Sequence, residues 1–255
     1  MIKAKKRFGQ NFLKNQAICE KMAQAVMAQK PLHVLEIGPG QGALTTLLLE
    51  QLSVLTAIEI DRDLLDFLRK KFEGKNLNLI QSDVLEVDLF KLTQEKNIDL
   101  IFGNLPYNIS TPLLIKYRDE CPMIPGIFLL QKEVAERLAA KPGSKDYGRL
   151  SLMMQLNYDF EILFDVTPDN FHPVPKVMSS FIKTTPHHRY KAHPLFEDLV
   201  RESFCHRRKM IKKSLENYKI DFLKIGIDGT RRPETFSIDE FNLLASAVRH
   251  PNTLV

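Results

Sequence analysis

The sequence predicts an α/β fold, a parallel doubly wound sheet followed by a small all-helical domain, and three observations carry that prediction. From residue 31 onward, short apolar runs alternate with amphipathic helical patterns, the signature of βαβ units. A glycine-rich stretch, Gly38-Pro-Gly-Gln-Gly42, follows directly on the first run and resembles the first strand-to-helix turn of a nucleotide-binding sheet. Beyond the polar, proline-flanked segment Thr185–Pro194 no convincing strand pattern returns.

Strands are expected at His33–Ile37, Val54–Glu59, Leu77–Gln81, Ile98–Gly103 and Gly126–Leu130, each a short apolar run. Leucines at helical spacing mark crossover helices at Leu44–Leu52 and Leu64–Phe72. Phe160–Val166 and Val177–Thr184 read as closing strands, the second preceded by the turn-rich Pro173-Val-Pro-Lys176. The linker divides the chain into domains at 1–185 and 186–255. In the second, helical patterns fall at Leu195–Ser203, Arg207–Leu215, Ile220–Ile225 and Ile238–Val248, the last opened by the capping signal Ser237-Ile-Asp-Glu240.

A chain of 255 residues accommodates one large α/β domain with a small appendage. Hydrophobic residues at 44% and charged residues at 26% exclude a disordered or fibrous chain. The basic start is followed by no long apolar run, so neither a secretory signal nor a membrane span is expected, and a cytoplasmic location follows. Cys19, Cys121 and Cys205 lack metal or disulfide spacing and are expected as free thiols; His187, His188 and His193 show no metal spacing either. The net charge is +5. It concentrates at Lys3, Lys5, Lys6 and Arg7 and again between Arg201 and Lys219, where seven basic residues stand against Glu202 and Glu216. On the expected helix there, Phe204, Ile211 and Leu215 face inward and Lys209, Lys212 and Lys213 outward, beside Arg207 and Arg208. Such a face suits a phosphate backbone, as it also suits plain solvent.

The glycine-rich turn lets the backbone approach a nucleotide cofactor and aims helix-start amides at it. Glu59 ends the second strand, about 20 residues after the first glycine, where a carboxylate accepts both ribose hydroxyls. This alone fits NAD as well as S-adenosylmethionine. The Gly-x-Gly-x-Gly spacing with Glu36 before it favours the methyl donor. Asp83 follows the third strand, as an acceptor for an adenine amine or as a turn cap, and Asn104 follows the fourth. All of these fall at the carboxyl ends of strands, at one crevice.

Asn104-Leu-Pro-Tyr107 is the sharpest signal. An exocyclic adenine amine is a poor nucleophile because its lone pair is delocalised into the ring. Two acceptors on its N–H bonds, the Asn104 side-chain oxygen and the Leu105 carbonyl, disfavour that conjugation, Pro106 stiffens the turn, and Tyr107 offers a face on which the base stacks. Phe171 stands either as a cover for the opposite face of the base or as core packing.

With these residues in view, the whole chain resembles the small-subunit ribosomal RNA adenine dimethyltransferase family of the KsgA type. The marks are Arg7-Phe-Gly-Gln-Asn-Phe-Leu13, Glu36-Ile-Gly-Pro-Gly40, Glu59-Ile-Asp-Arg62, Asn104-Leu-Pro-Tyr-Asn-Ile-Ser-Thr-Pro112, Gln131-Lys-Glu133, Tyr147-Gly-Arg-Leu150, Phe171-His-Pro-Val-Pro-Lys176 and Phe204-Cys-His-Arg-Arg-Lys209. The resemblance implies a Rossmann-like class I methyltransferase sheet with a small C-terminal all-helical domain. It implies that Asn11 and Leu13 enclose the methionine end of S-adenosylmethionine, while Gly38, Glu59, Asp83 and Asn104 hold the rest and S-adenosylhomocysteine leaves. It implies N6,N6-dimethylation of two adjacent adenosines near the 3′ end of 16S ribosomal RNA, within an immature 30S particle, by a monomer without a metal. Rival readings are a large-subunit methyltransferase of the macrolide-resistance type, a DNA adenine methyltransferase, and a non-catalytic assembly factor. Pro112 and the Arg207-Arg208-Lys209 run resemble the small-subunit family.

Overall fold

The computed structural model describes residues 2–248; Met1 and residues 249–255, the outer ends of the two expected domains, lie outside the described residues. By its internal packing the chain forms two compact units. The first runs to Ala135 and resumes over Asp159–Pro186; the second takes Glu136–Tyr158 and begins again at His187. A crossing thus falls at Pro186, next to the expected boundary, and residues 136–158 join the second unit. Periodicity is a local signal and does not say which core a helix packs in.

In chain order the first part holds β1 (Phe12–Leu13), α1 (Gln16–Met27), β2 (Val34–Ile37), α2 (Ala43–Leu49), β3 (Leu55–Glu59), α3 (Arg62–Lys71), β4 (Leu77–Gln81), α4 (Leu89–Lys96), β5 (Leu100–Asn104), α5 (Ser110–Glu120), β6 (Gly126–Gln131) and α6 (Lys132–Ala139). There follow α7 (Arg149–Gln155), β7 (Tyr158–Val166), β8 (Phe171–His172) and β9 (Ser179–Pro186). Each expected strand is present within two residues of its reading.

Seven strands form one sheet in the order β4-β3-β2-β5-β6-β9-β7. The first five are mutually parallel, and β9 runs antiparallel to β6. The chain therefore enters at β2 in the middle, winds outward to β4, and returns to β5 on the other side of β2. That reversal opens a crevice beyond the carboxyl ends of β2 and β5, the usual ligand position in open α/β sheets. β2 and β3 are buried throughout, as both-face coverage by helices requires. Met22 and Val26 of α1, Leu48 of α2, and Val34, Leu55, Phe102, Ile127 and Phe181 of the sheet share one core.

The helix α1 was not among the expected elements, although its signals are present. Asn15 Oδ1 accepts from the backbone N–H of Ala17 at 3.0 Å, an N-cap, and Cys19, Met22, Ala23 and Val26 recur at helical spacing and are buried.

In the second unit, α8 (Phe196–Cys205), α9 (Ile211–Ser214) and α10 (Ile238–Ser246) join α7. Phe241 packs against Phe196 and Phe236 with ring centroids 6.1 and 5.9 Å away. Ser237 and Glu240 form the expected capping box: Glu240 N–H donates to Ser237 Oγ at 3.2 Å and Ser237 N–H to Glu240 Oε2 at 2.8 Å. Two expected helices are corrected. Over Arg207–Leu215 only the single turn of α9 forms, with Arg207, Arg208 and Lys209 in the preceding turn. Over Ile220–Ile225 no helix forms: turns begin at Phe222 and end on Gly226, which is left-handed like Lys219. So short a segment forms a helix only where tertiary packing supports it, and Leu223 is 94% exposed.

Candidate active site

The ends of β2, β3 and β5 and the segment after β4 surround a cavity of about 400 Å³, lined entirely by the first unit and within the range of small-molecule sites. All six residues expected to hold the cofactor, Asn11, Leu13, Gly38, Glu59, Asp83 and Asn104, line it, together with Leu105, Pro106 and Tyr107. The crevice predicted from strand ends is therefore one place.

Its floor is the glycine turn after β2. Gly40 has φ +59°, and a Cβ there would stand 3.1 Å from the Phe12 ring, so backbone conformation and close packing both demand glycine. Gly40 N–H donates to Glu59 Oε2 at 3.3 Å, and Asp61 N–H donates to Glu59 Oε1 at 2.9 Å. These bonds aim the carboxylate at the end of β3. Burial pushes the Glu59 pKa up, against the pull of those backbone donors. Glu36, inside β2, is 2% exposed and accepts from Thr45 Oγ at 2.7 Å; burial raises its pKa to about 7. Asp83 lines the cavity while Oδ1 accepts from Leu85 N–H at 2.9 Å. Both readings of Asp83, ligand side and turn cap, thus have a place.

The N-terminal segment forms a wall. Lys5 Nζ donates to Asp61 Oδ1 at 2.5 Å and to Asp63 Oδ2 at 2.6 Å, and Gln10 Nε2 donates to Asp61 Oδ2 at 3.1 Å. Burial opposes ionisation of Asp61, but its bonds from Lys5 and Gln10 prevail and hold the carboxyl below its usual value. Lys5, one of the basic residues of the N-terminal cluster, is thereby engaged inside the unit. Lys71 was also missed: it lines the cavity, and its Nζ donates to the Gln41 carbonyl at 3.0 Å. The signal for Gln10 and Asp61 lay in the motifs Arg7-Phe-Gly-Gln-Asn and Glu59-Ile-Asp; Lys71 had none, as the last residue of an amphipathic helix.

Asn104 ends β5, and its Nδ2 donates to the Asn11 carbonyl at 3.2 Å. Leu105 N–H donates to the Leu129 carbonyl at 3.1 Å, which extends the sheet into the turn. Ile109 N–H then closes on the Pro106 carbonyl at 3.1 Å, and α5 begins at Ser110. Tyr107 is half-buried, its hydroxyl 2.7 Å from Ser179 Oγ, and burial raises its pKa. Phe171 is brought elsewhere. It pairs with Leu13 in the β1–β8 ribbon, is 1% exposed within the core, and does not line the cavity.

The expected RNA-binding residues all belong to the second unit. Arg208, Lys209, Lys212 and Lys213 are exposed, and Arg207 donates to the Lys145 carbonyl at 2.6 Å. Among the described residues no group of three or more His, Cys, Asp or Glu is placed to hold a metal ion. Among them, too, no helix is long and apolar enough to cross a membrane.

The model of the family described as "Ribosomal RNA adenine dimethylase" matches residues 1–248. The "Ribosomal RNA small subunit methyltransferase A" of Pseudomonas fluorescens (strain Pf0-1) is 43% identical over 251 residues, covering 95% of this chain and 92% of the relative. A dimethyladenosine transferase from Plasmodium falciparum superposes with a TM-score of 0.78 at 25% identity, covering 91% of this chain and 95% of that one. The 23S rRNA methyltransferase ErmE shares the fold, with a TM-score of 0.69 at 24% identity over 93% of this chain and 99% of its own. With a family match across nearly its whole length, this chain belongs to the ribosomal RNA adenine dimethylases.

Proposed function

We propose that this chain dimethylates, at N6, two adjacent adenosines near the 3′ end of 16S ribosomal RNA in an immature 30S particle. Family membership makes it an rRNA adenine dimethyltransferase whose methyl donor is S-adenosylmethionine. The cavity suits that donor. It offers a buried carboxylate at the end of β3 for a ribose diol, close-approach glycines after β2, and Asp83 for an adenine amine. When bound, the donor supplies an electrophilic methyl group on a sulfonium.

The observation that carries the reading is the Asn104 amide at the end of β5, beside Tyr107 on the same cavity wall. With Nδ2 given to Asn11, Oδ1 is the acceptor for one N–H of the target amine, and the Leu105 carbonyl is the acceptor for the other. Together they hold the nitrogen out of conjugation and in line with the methyl group, so that most of the catalysis is positioning. The alkylated amine is acidic and sheds its proton to those acceptors or to water, without a strong base. The base must leave its stack to reach them, which suits a loop or strand end better than a duplex. Support for the small subunit comes from the relative's name at 43% identity, and ErmE, a 23S enzyme, shares the fold alone. Arg207, Arg208, Lys209, Lys212 and Lys213 are proposed to contact RNA phosphates, and the enzyme to act as a cytoplasmic monomer. Mass mapping of ribosomal RNA from cells with and without the gene tests the assignment: loss of two dimethyladenosines from small-subunit RNA is expected, and loss from large-subunit RNA would overturn it.

A further inference from the structure

We infer that Ser179 is a positioning residue for methyl transfer, acting through the Tyr107 hydroxyl to hold the ring against which the target base stacks. The inference rests on the proposed role of Tyr107 as the stacking face.

β9 runs antiparallel to β6, with Ser179 opposite Gln131, the last residue of β6. Because β6 is parallel to β5, the first residue of β9 arrives at the carboxyl end of the sheet, where Asn104 and Tyr107 stand. Lys132 N–H donates to the Met178 carbonyl at 2.9 Å and fixes the backbone just ahead of Ser179. Ser179 itself is 0% exposed, and its Oγ lies 2.7 Å from Tyr107 Oη. The tyrosine projects from the turn after β5, is only partly exposed, and lines the cavity. Stacking needs only the ring face, which phenylalanine offers equally well. The hydroxyl is therefore an addition with another use: it ties the far end of the ring to a rigid strand and sets the ring plane before the base arrives. Side chains that hold a reacting group are effective only when their own rotamers are locked by a second layer of contacts, and small misplacements there are costly in rate.

The test compares Ser179→Ala, Ser179→Thr, Tyr107→Phe, Tyr107→Ala and the double variant Ser179→Ala with Tyr107→Phe. Each is assayed for single-turnover methylation of small ribosomal subunits from cells lacking the gene, with S-adenosylmethionine affinity and melting temperature measured alongside. Loss of one hydrogen bond of ordinary strength predicts about two- to tenfold slower transfer in Ser179→Ala, with cofactor affinity unchanged. Tyr107→Phe should lose the same factor, the double variant no more than either, and Ser179→Thr should restore the rate. A full rate in Ser179→Ala, factors that multiply in the double variant, or a parallel loss of cofactor binding would each overturn the inference. Tyr107→Ala separates the two levels. If it is strongly impaired while Ser179→Ala is not, only the positioning role fails; if Tyr107→Ala keeps the wild-type rate, the stacking role fails and Ser179 loses its function with it.

Discussion

The Asn104 side chain donates through Nδ2 to the main-chain carbonyl of Asn11, 93 positions earlier in the chain, at 3.2 Å. A carbonyl only accepts, so the amide nitrogen must point at it and Oδ1 must be the other end. The N-terminal segment thus orients the group proposed to receive the substrate amine.

Asn104→Ala is accordingly expected to leave cofactor affinity largely intact while slowing methyl transfer about 100- to 1,000-fold, the scale for deleting one preorganised polar partner of a reacting group. Asn104→Asp should do no better, since an ionised carboxylate has no hydrogen for the Asn11 carbonyl. Single-turnover rates and calorimetric affinities, measured on the same preparations, separate the two quantities. Near wild-type transfer by Asn104→Ala would remove the amine-holding role.

Glu59→Ala should weaken S-adenosylmethionine binding by about 1.5–3 kcal/mol, because a buried ribose diol loses a charged acceptor. The same substitution orphans Gly40 N–H and Asp61 N–H, so a lower melting temperature is expected as well. Calorimetry on a folded variant with unchanged affinity would take Glu59 out of the site.

Glu36 gives a pH prediction. Its folded pKa of about 7 lies above the ordinary glutamate value of 4.5. The native state therefore holds a proton that the unfolded chain releases, and stability falls as pH rises from about 4.5 through 7. For a group so fully buried the loss is on the order of 3 kcal/mol. Glu36→Gln keeps an acceptor for Thr45 and loses the titration. Denaturant unfolding at pH 5, 6, 7 and 8 should show a smaller decline for the variant than for the wild type, and equal declines would contradict the assignment.

Reversal of Lys209, Lys212 and Lys213 to glutamate should weaken binding to the small ribosomal particle and spare cofactor binding. Neutralising a phosphate releases counterions, so the log–log salt slope should flatten by roughly 0.7–0.9 for each phosphate that is no longer neutralised. Titrations at several salt concentrations measure it, and an unchanged slope would leave this cluster without an RNA role.

The fold and the crevice at the strand ends were legible because both rest on local patterns. Alternating apolar runs define strands, a strand's last residue fixes its side of the sheet, and Gly38, Glu59, Asp83 and Asn104 each follow or end a strand. Helices without an expected length of periodic pattern were harder. The Arg207–Leu215 segment has apolar residues at helical spacing but forms only one turn, since spacing describes which face would be buried and not whether the backbone is held there.

The doubly wound sheet, the glycine turn and the Asn104-Leu-Pro-Tyr107 signal are written in chemistry confined to a few neighbouring residues. The long-range pairings came with the folded chain: Asn11 with Asn104, Lys5 with Asp61 and Asp63, and Tyr107 with Ser179. Folding also placed the Phe171 ring, 1% exposed, in the core beside Leu13 of the β1–β8 ribbon. The physical reason is the same in each case. A hydrogen bond or a core contact between distant residues depends on strand order and register, and no periodicity within either segment encodes which partner the folded sheet will bring beside it.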